Sequence, residues 1–280
     1  KVIFADQLAE PVERVLAQGT AASGWGYLLA IYCFAVQIYC DFSGYTDIAL
    51  GAARVMGFDL MVNFRTPYRS ASIAEYWSRW HISLSSWFRD YLYIPLGGNR
   101  VAKSRWYLNI MVVFLISGLW HGANWTYVVW GGLHGVYMIL ALVCAGFWSR
   151  FNSVTGLAAW PRVLRTLNVL ITFHLVLVAW VFFRSKGFGD AWSILGKWSG
   201  ATTGGMGVMD LVAELKPVWM VITLGFTALY LVIDPVVDGW IKRERPLPSR
   251  PLSFAFNAAL LTACLLFGFF GKTMFIYFQF

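Results

Sequence analysis

The 280-residue chain is 59% hydrophobic and 13% charged, with a mean hydropathy of +0.60. A soluble domain would be nearer half apolar and a quarter charged, so the composition excludes an ordinary soluble fold and points to repeated membrane-spanning segments. The net charge of +8 gathers in loops beside apolar runs and forms no basic stripe, which fits positive-inside topology and argues against nucleic acid as a partner.

The chain opens at Lys1 without an initiator Met or a signal-peptide pattern, so its start reads as a truncation or a processed end. Residues 1–24 carry charges at helical spacing and read as a helix followed by a loop. Trp25 to Cys40 is an apolar span that runs into Asp41-Phe42-Ser43-Gly44-Tyr45-Thr46-Asp47 and resumes as Ile48 to Phe58. Two carboxylates beside a Ser-Gly pair predict a discontinuous helix lining a cavity, because irregular backbone at membrane depth must face protein or water. Asn63 to Arg69 is a turn-rich linker. Ser72-Ile73-Ala74-Glu75 then has the form of a capping box. Ile73, Trp77, Trp80, Leu84, Phe88 and Tyr91 follow at helical spacing, opposite Glu75, Ser78, Arg79, Ser83, Ser86 and Arg89. One amphipathic helix is expected there, interfacial or facing a polar cleft, ending before Pro95.

Trp106 to Trp120 is the next span. Fifteen helical residues cover about 22 Å, short of a hydrocarbon core of about 30 Å, which leaves His121 and Gly122 within the membrane thickness. Trp125–Trp148 and Leu167–Phe183 are further spans, Ala191–Trp198 is a short surface segment, and Val218–Trp240 and Leu252–Gly271 complete the set. The basic loops at Arg100–Arg105, Arg150–Arg165 and Lys242–Arg250 alternate in a way that places all three on the cytoplasmic side. Cys33, Cys40, Cys144 and Cys264 lie in apolar runs without a Cys-x-x-Cys pair, so neither a disulfide framework nor a metal site is expected.

The chain has four histidines. His134 and His174 fall in mid-span, where an imidazole usually makes one interhelical hydrogen bond, and both read as structural. His81 sits near the apolar face of the amphipathic helix, open to either packing or function. His121 stands at a helix end between Trp120 and Gly122, with Asn124 close enough to orient an imidazole nitrogen. An ionisable group at membrane depth is costly and marks a functional site. A neutral imidazole suits a general base that removes a proton from a hydroxyl. No nucleophile elbow, His-Glu-x-x-His or phosphate-binding glycine loop accompanies it.

Four segments together carry a resemblance: Tyr39-Cys40-Asp41-Phe42-Ser43-Gly44-Tyr45-Thr46-Asp47, Tyr76-Trp77-Ser78-Arg79-Trp80-His81-Ile82-Ser83-Leu84, Phe88-Arg89-Asp90-Tyr91 and Gly118-Leu119-Trp120-His121-Gly122. In this order they resemble the membrane-bound O-acyltransferases, and more narrowly the branch that exports acyl groups to cell-envelope polymers. The resemblance extends from the opening residues to the closing Phe275-Ile276-Tyr277-Phe278-Gln279-Phe280. It implies an all-α polytopic fold with broken and amphipathic helices around a tunnel, in the bacterial inner membrane. Residues 1–280 would form one acyltransferase domain lacking the family's N-terminal helices.

The resemblance also implies roles. His121 matches the catalytic histidine and His81 the second motif histidine, near the donor entrance. Asp41, Ser43, Tyr45 and Asp47 match a motif that positions groups in the cavity wall, with structural support equally open. Tyr277, by itself part of an interfacial aromatic belt, would relay the acyl group to an extracytoplasmic acyl-accepting protein or polysaccharide. Acetyl-CoA is the implied donor substrate. D-alanyl transfer to teichoic acid from a carrier protein uses the same motifs. A transporter or a scaffold subunit of a polysaccharide export complex is the reading from a different class.

Overall fold

The computed structural model describes residues 1–17, 24–199 and 250–268, which fold into helices and turns with no strand among them. The chain divides into two compact units, one of residues 59–195 and the other of the described residues on either side. The expected span Val218–Trp240 and Tyr277 lie outside the described residues.

The flanking unit begins with α1 (Ala5–Ala17) and α2 (Gly24–Val55). Ala5, Leu8, Val12 and Val15 recur at helical spacing, and all four are buried where α1 packs on α2. The expected break at Ser43-Gly44 is absent, because α2 runs unbroken for 32 residues. The physical reason is a close approach: a Cβ at Gly44 would stand 3.2 Å from both the backbone nitrogen and the Cβ of Lys1. Gly44 therefore makes room for the N-terminal segment without disrupting the helical ladder. Lys1 also donates to Asp41 Oδ1 at 2.5 Å. The final described helix, α10 (Arg250–Phe267), starts two residues before the predicted span.

The unit of residues 59–195 contains the short helices α3 (Ile73–Trp77) and α4 (Ile82–Phe88), the hairpin α5 (Lys103–His121) and α6 (Trp125–Val143), then α7 (Ala145–Val154) and α8 (Pro161–Arg184). The next helix, α9 (Phe188–Ser199), starts within it. The capping box forms as its residues predict: Ser72 Oγ accepts from the Glu75 amide at 3.1 Å, and Glu75 Oε2 accepts from the Ala71 amide at 2.6 Å. The single amphipathic helix expected from Ile73 to Tyr91 is instead two helices and a π-helical turn at Arg89–Tyr93. The chain turns at His81, whose φ of 44° is left-handed. The break sends Trp80 into the core, where it is 2% exposed. Asn63 caps the restart, its Oδ1 accepting from the Ser83 amide at 3.0 Å and from Ser83 Oγ at 2.6 Å.

The hairpin positions the site. A Cβ at Gly118 would come within 2.3 Å of the Tyr127 carbonyl oxygen, and one at Gly131 within 2.1 Å of the Phe114 oxygen. Small residues thus let two antiparallel backbones touch, the membrane alternative to packing by hydrophobic burial. Among the described helices, α2, α6 and α8 are long and apolar enough to cross a membrane. The hairpin partner α5 is more polar but equal to α6 in length at 19 residues, and it runs alongside it. It begins three residues before the predicted span, at Lys103, so it reaches about 28 Å and brings its last residue, His121, close to one edge of an apolar layer about 30 Å thick.

Candidate active site

His121 is the last residue of α5, half-buried, where a three-residue turn reverses the chain into α6. Its imidazole is gripped edge-on by three rings: Trp120 at 5.0 Å, Trp130 at 5.0 Å and Phe183 at 5.3 Å between centroids. The neighbours come from different elements, since Trp130 lies one turn into α6 and Phe183 near the end of α8. Behind them the ring contacts continue into the core. Trp180 stacks on Trp130 at 6.1 Å, Trp80 meets Trp180 edge-on at 5.2 Å, and Tyr76 stacks on Trp80 at 5.8 Å. Offset and T-shaped ring pairs each add about 0.5–1.5 kcal/mol beyond area burial, so this cluster fixes the orientation of the His121 ring.

His81 joins the same unit from the α3–α4 turn and lies within Coulombic range of His121. Its Nδ1 is 3.4 Å from Ser83 Oγ. Burial pushes the His81 imidazole down to about 4, so the ring is neutral at physiological pH and able to accept a hydrogen bond. The structure thus brings His81 and His121 together, although 40 residues separate them. In the same unit, Trp77, Leu84, Ser85, Phe88, Arg89 and Ser117 line part of an open cavity of about 140 Å³.

The remaining candidates fall elsewhere. Trp120 is 57% exposed apart from its contact with His121. Asn124 does not orient the imidazole. Its Oδ1 accepts from the Thr126 amide at 3.1 Å, capping α6, and its Nδ2 donates to the Lys186 carbonyl at 3.1 Å. Capping wins because the first amides of α6 need an acceptor and Asn is a preferred cap residue. Asp41, Ser43, Tyr45 and Asp47 belong to α2 in the other unit. Asp41 is 2% exposed and paired with Lys1, the Ser43 carbonyl accepts from Thr46 Oγ1 at 2.9 Å, and Tyr45 and Asp47 are exposed.

Of the two mid-span histidines, His134 makes the expected interhelical bond, its Nδ1 accepting from Trp77 Nε1 at 3.3 Å. His174 is exposed, with Nδ1 2.8 Å from the Leu170 carbonyl of its own helix. Trp130, Trp180 and Phe183 were not singled out by the sequence, because indole and phenyl groups in an apolar run look the same whether they face lipid or the base. Asn63 was likewise hidden inside a linker, and only its reach across 20 residues to Ser83 reveals it.

Among the described residues, helices without strands, three of them long and apolar enough to span a bilayer, mark an all-α, multi-pass membrane protein. The model of the membrane-bound O-acyltransferase family matches residues 15–184, more than half of the chain, and the protein belongs to that family. It is 45% identical over 192 residues to "Probable alginate O-acetylase AlgI" of Pseudomonas aeruginosa, covering 69% of this chain and 35% of that one. It is 38% identical over 196 residues to a peptidoglycan O-acetyltransferase of Helicobacter pylori, covering 70% and 36%. Against a teichoic acid D-alanyltransferase of Bacillus subtilis the identity is 34% over 171 residues, covering 58% and 42%. The alignments thus span about a third to two fifths of the length of these relatives.

Proposed function

We propose that the protein is an O-acyltransferase of the bacterial inner membrane. It would move an acetyl group from acetyl-CoA on the cytoplasmic side toward a cell-envelope polysaccharide or an extracytoplasmic acyl-accepting protein. Family membership and the likeness to alginate and peptidoglycan O-acetyltransferases support the reaction class. The observation that carries the reading is His121, held by three rings at a helix end with His81 in range. In this reading residues 1–280 contribute to one membrane-embedded acyltransferase domain.

The chemistry follows from a neutral imidazole. His121 takes the proton of an acceptor hydroxyl as its oxygen attacks the thioester carbonyl. The tetrahedral intermediate collapses by expelling the CoA thiolate, which takes the proton back from the imidazolium. Neutral His81, beside the same site, is available to accept a hydrogen bond from donor or acceptor. Asp41 pairs with Lys1 and Gly44 leaves room for it, a supporting role. Tyr277 would accept the acyl group as a phenyl ester before passing it outward.

Incubation of the full-length protein with labelled acetyl-CoA tests this. Release of CoA and label transfer should disappear in His121→Ala while the variant remains folded; substantial transfer by that variant refutes the base assignment. Tyr277→Phe should abolish product acetylation together with His121-dependent release of CoA, and full product formation would remove the relay. A second reading, D-alanyl transfer from a carrier protein, is supported by the 34% identity to the teichoic acid enzyme. Offering a D-alanyl carrier protein in place of acetyl-CoA separates the two.

A further inference from the structure

Among the buried polar atoms in the core of residues 59–195, three on α6 have no part in the chemistry proposed for His121. Thr126, Trp130 and His134 follow one another at four-residue intervals on α6 and so share one face of the helix. Thr126 and His134 are 0% exposed and Trp130 is 1% exposed. Thr126 Oγ1, Trp130 Nε1 and His134 Nε2 are closed off from solvent and have no hydrogen-bond partner among the described residues. Buried polar groups are almost always satisfied, so three on one helix face require an explanation.

The protonation of His134 narrows the answer. An indole N–H can only donate, so the bond from Trp77 makes His134 Nδ1 the unprotonated nitrogen and puts the proton of the neutral ring on Nε2. His134 Nε2 and Trp130 Nε1 are then both N–H donors, on rings whose centroids are 5.2 Å apart. Two N–H donors in want of an acceptor match the coordination of a single internal water. Its oxygen accepts from both N–H groups.

We propose that Trp130 and His134 form an internal water site through which His134 acts as a positioning residue for His121. The link is Trp130, whose ring stands edge-to-face against His121 at 5.0 Å and 89°, and against His134 at 75°. A water bound to the Trp130 N–H, and shared with His134, holds the indole in one orientation and with it the wall against which His121 rests. Trp77 sets the arrangement, because its N–H fixes the tautomer that makes Nε2 a donor. The positioning role rests on the reading of His121 as the base, whereas the water site does not.

Two measurements test the proposal. A density map of the full-length protein that resolves bound waters should show one within hydrogen-bond distance of both Trp130 Nε1 and His134 Nε2. A map in which either atom meets a protein group, or neither meets a water, overturns the site regardless of His121. In acyl-transfer assays across pH, His134→Phe keeps the ring stack and loses the donor. Its kcat should fall about tenfold or more, with KM unchanged and the acid limb of the pH profile displaced. His134→Gln restores an N–H donor and should recover most of that loss. A native pH profile in His134→Phe, or equal losses in both variants in step with thermal stability, overturns the positioning role. Full transfer by His121→Ala would remove that role through the base it serves, and would leave the water density standing.

Discussion

His81 occupies the left-handed region at φ 44° and ψ 54°, a conformation that costs a non-glycine residue about 1–2 kcal/mol. Strain of this kind persists where the surroundings impose it, and it gathers at functional sites. Asparagine tolerates the conformation better than most residues. His81→Asn should therefore unfold at the native temperature or slightly above while losing most acyl transfer. Parallel thermal unfolding and transfer assays check this, and loss of both in step would make His81 a packing residue. At this scale the sequence was informative about the two motif histidines, because an imidazole beside indoles in an apolar chain is conspicuous. It was misleading about Asn124, whose nearness to His121 in the chain suggested a bond that the first amides of α6 take instead. It was silent about Trp130 and Phe183, whose contact with His121 arises only when α6 and α8 pack.

The helices show why local signals misplace breaks. Ser43-Gly44 reads as an interruption yet sits inside a continuous α2, since a single mid-helix glycine costs only about 1 kcal/mol and α1 packs along the helix. The unbroken heptad-like pattern from Ile73 to Tyr91 conceals a real break at His81, because periodicity records which residues are buried and not the path between them. The start of α3 was legible because capping is a local interaction. It also makes a pH prediction. Burial raises the Glu75 carboxyl, but the Ala71 amide, Arg79 and Arg165 outweigh it and hold it below its ordinary 4.5. The fold thus favours the charged form. That contribution is complete above pH 4.5 and is lost as pH falls through the lowered folded value. Stability measured in detergent should fall more steeply with acid in the native protein than in Glu75→Gln, with the difference confined to that acidic window. Equal slopes would show that the Glu75 ion pairs with Arg79 and Arg165 contribute nothing.

For the whole molecule, the membrane-spanning character followed from composition and the all-α class from the family resemblance, and the alternating loop charges gave an orientation that can be measured. Cys144 is exposed at the junction of α6 and α7, on the side of the basic segment that runs through α7 into the start of α8. With Cys33, Cys40 and Cys264 replaced, a membrane-impermeant maleimide should label Cys144 in inside-out vesicles and not in right-side-out ones. The opposite pattern would invert the proposed path from donor to acceptor. Around His121, the indoles of Trp130 and Trp180 are stacked at 6.1 Å with Trp80 at 5.2 Å from Trp180. Chromophores this close do not absorb independently. Their electronic transitions mix, giving a paired positive and negative signal in ultraviolet circular dichroism whose size depends steeply on spacing and angle. The candidate site therefore carries its own optical reporter, and arrival of a donor that shifts any of these rings would be visible without a dye or a label.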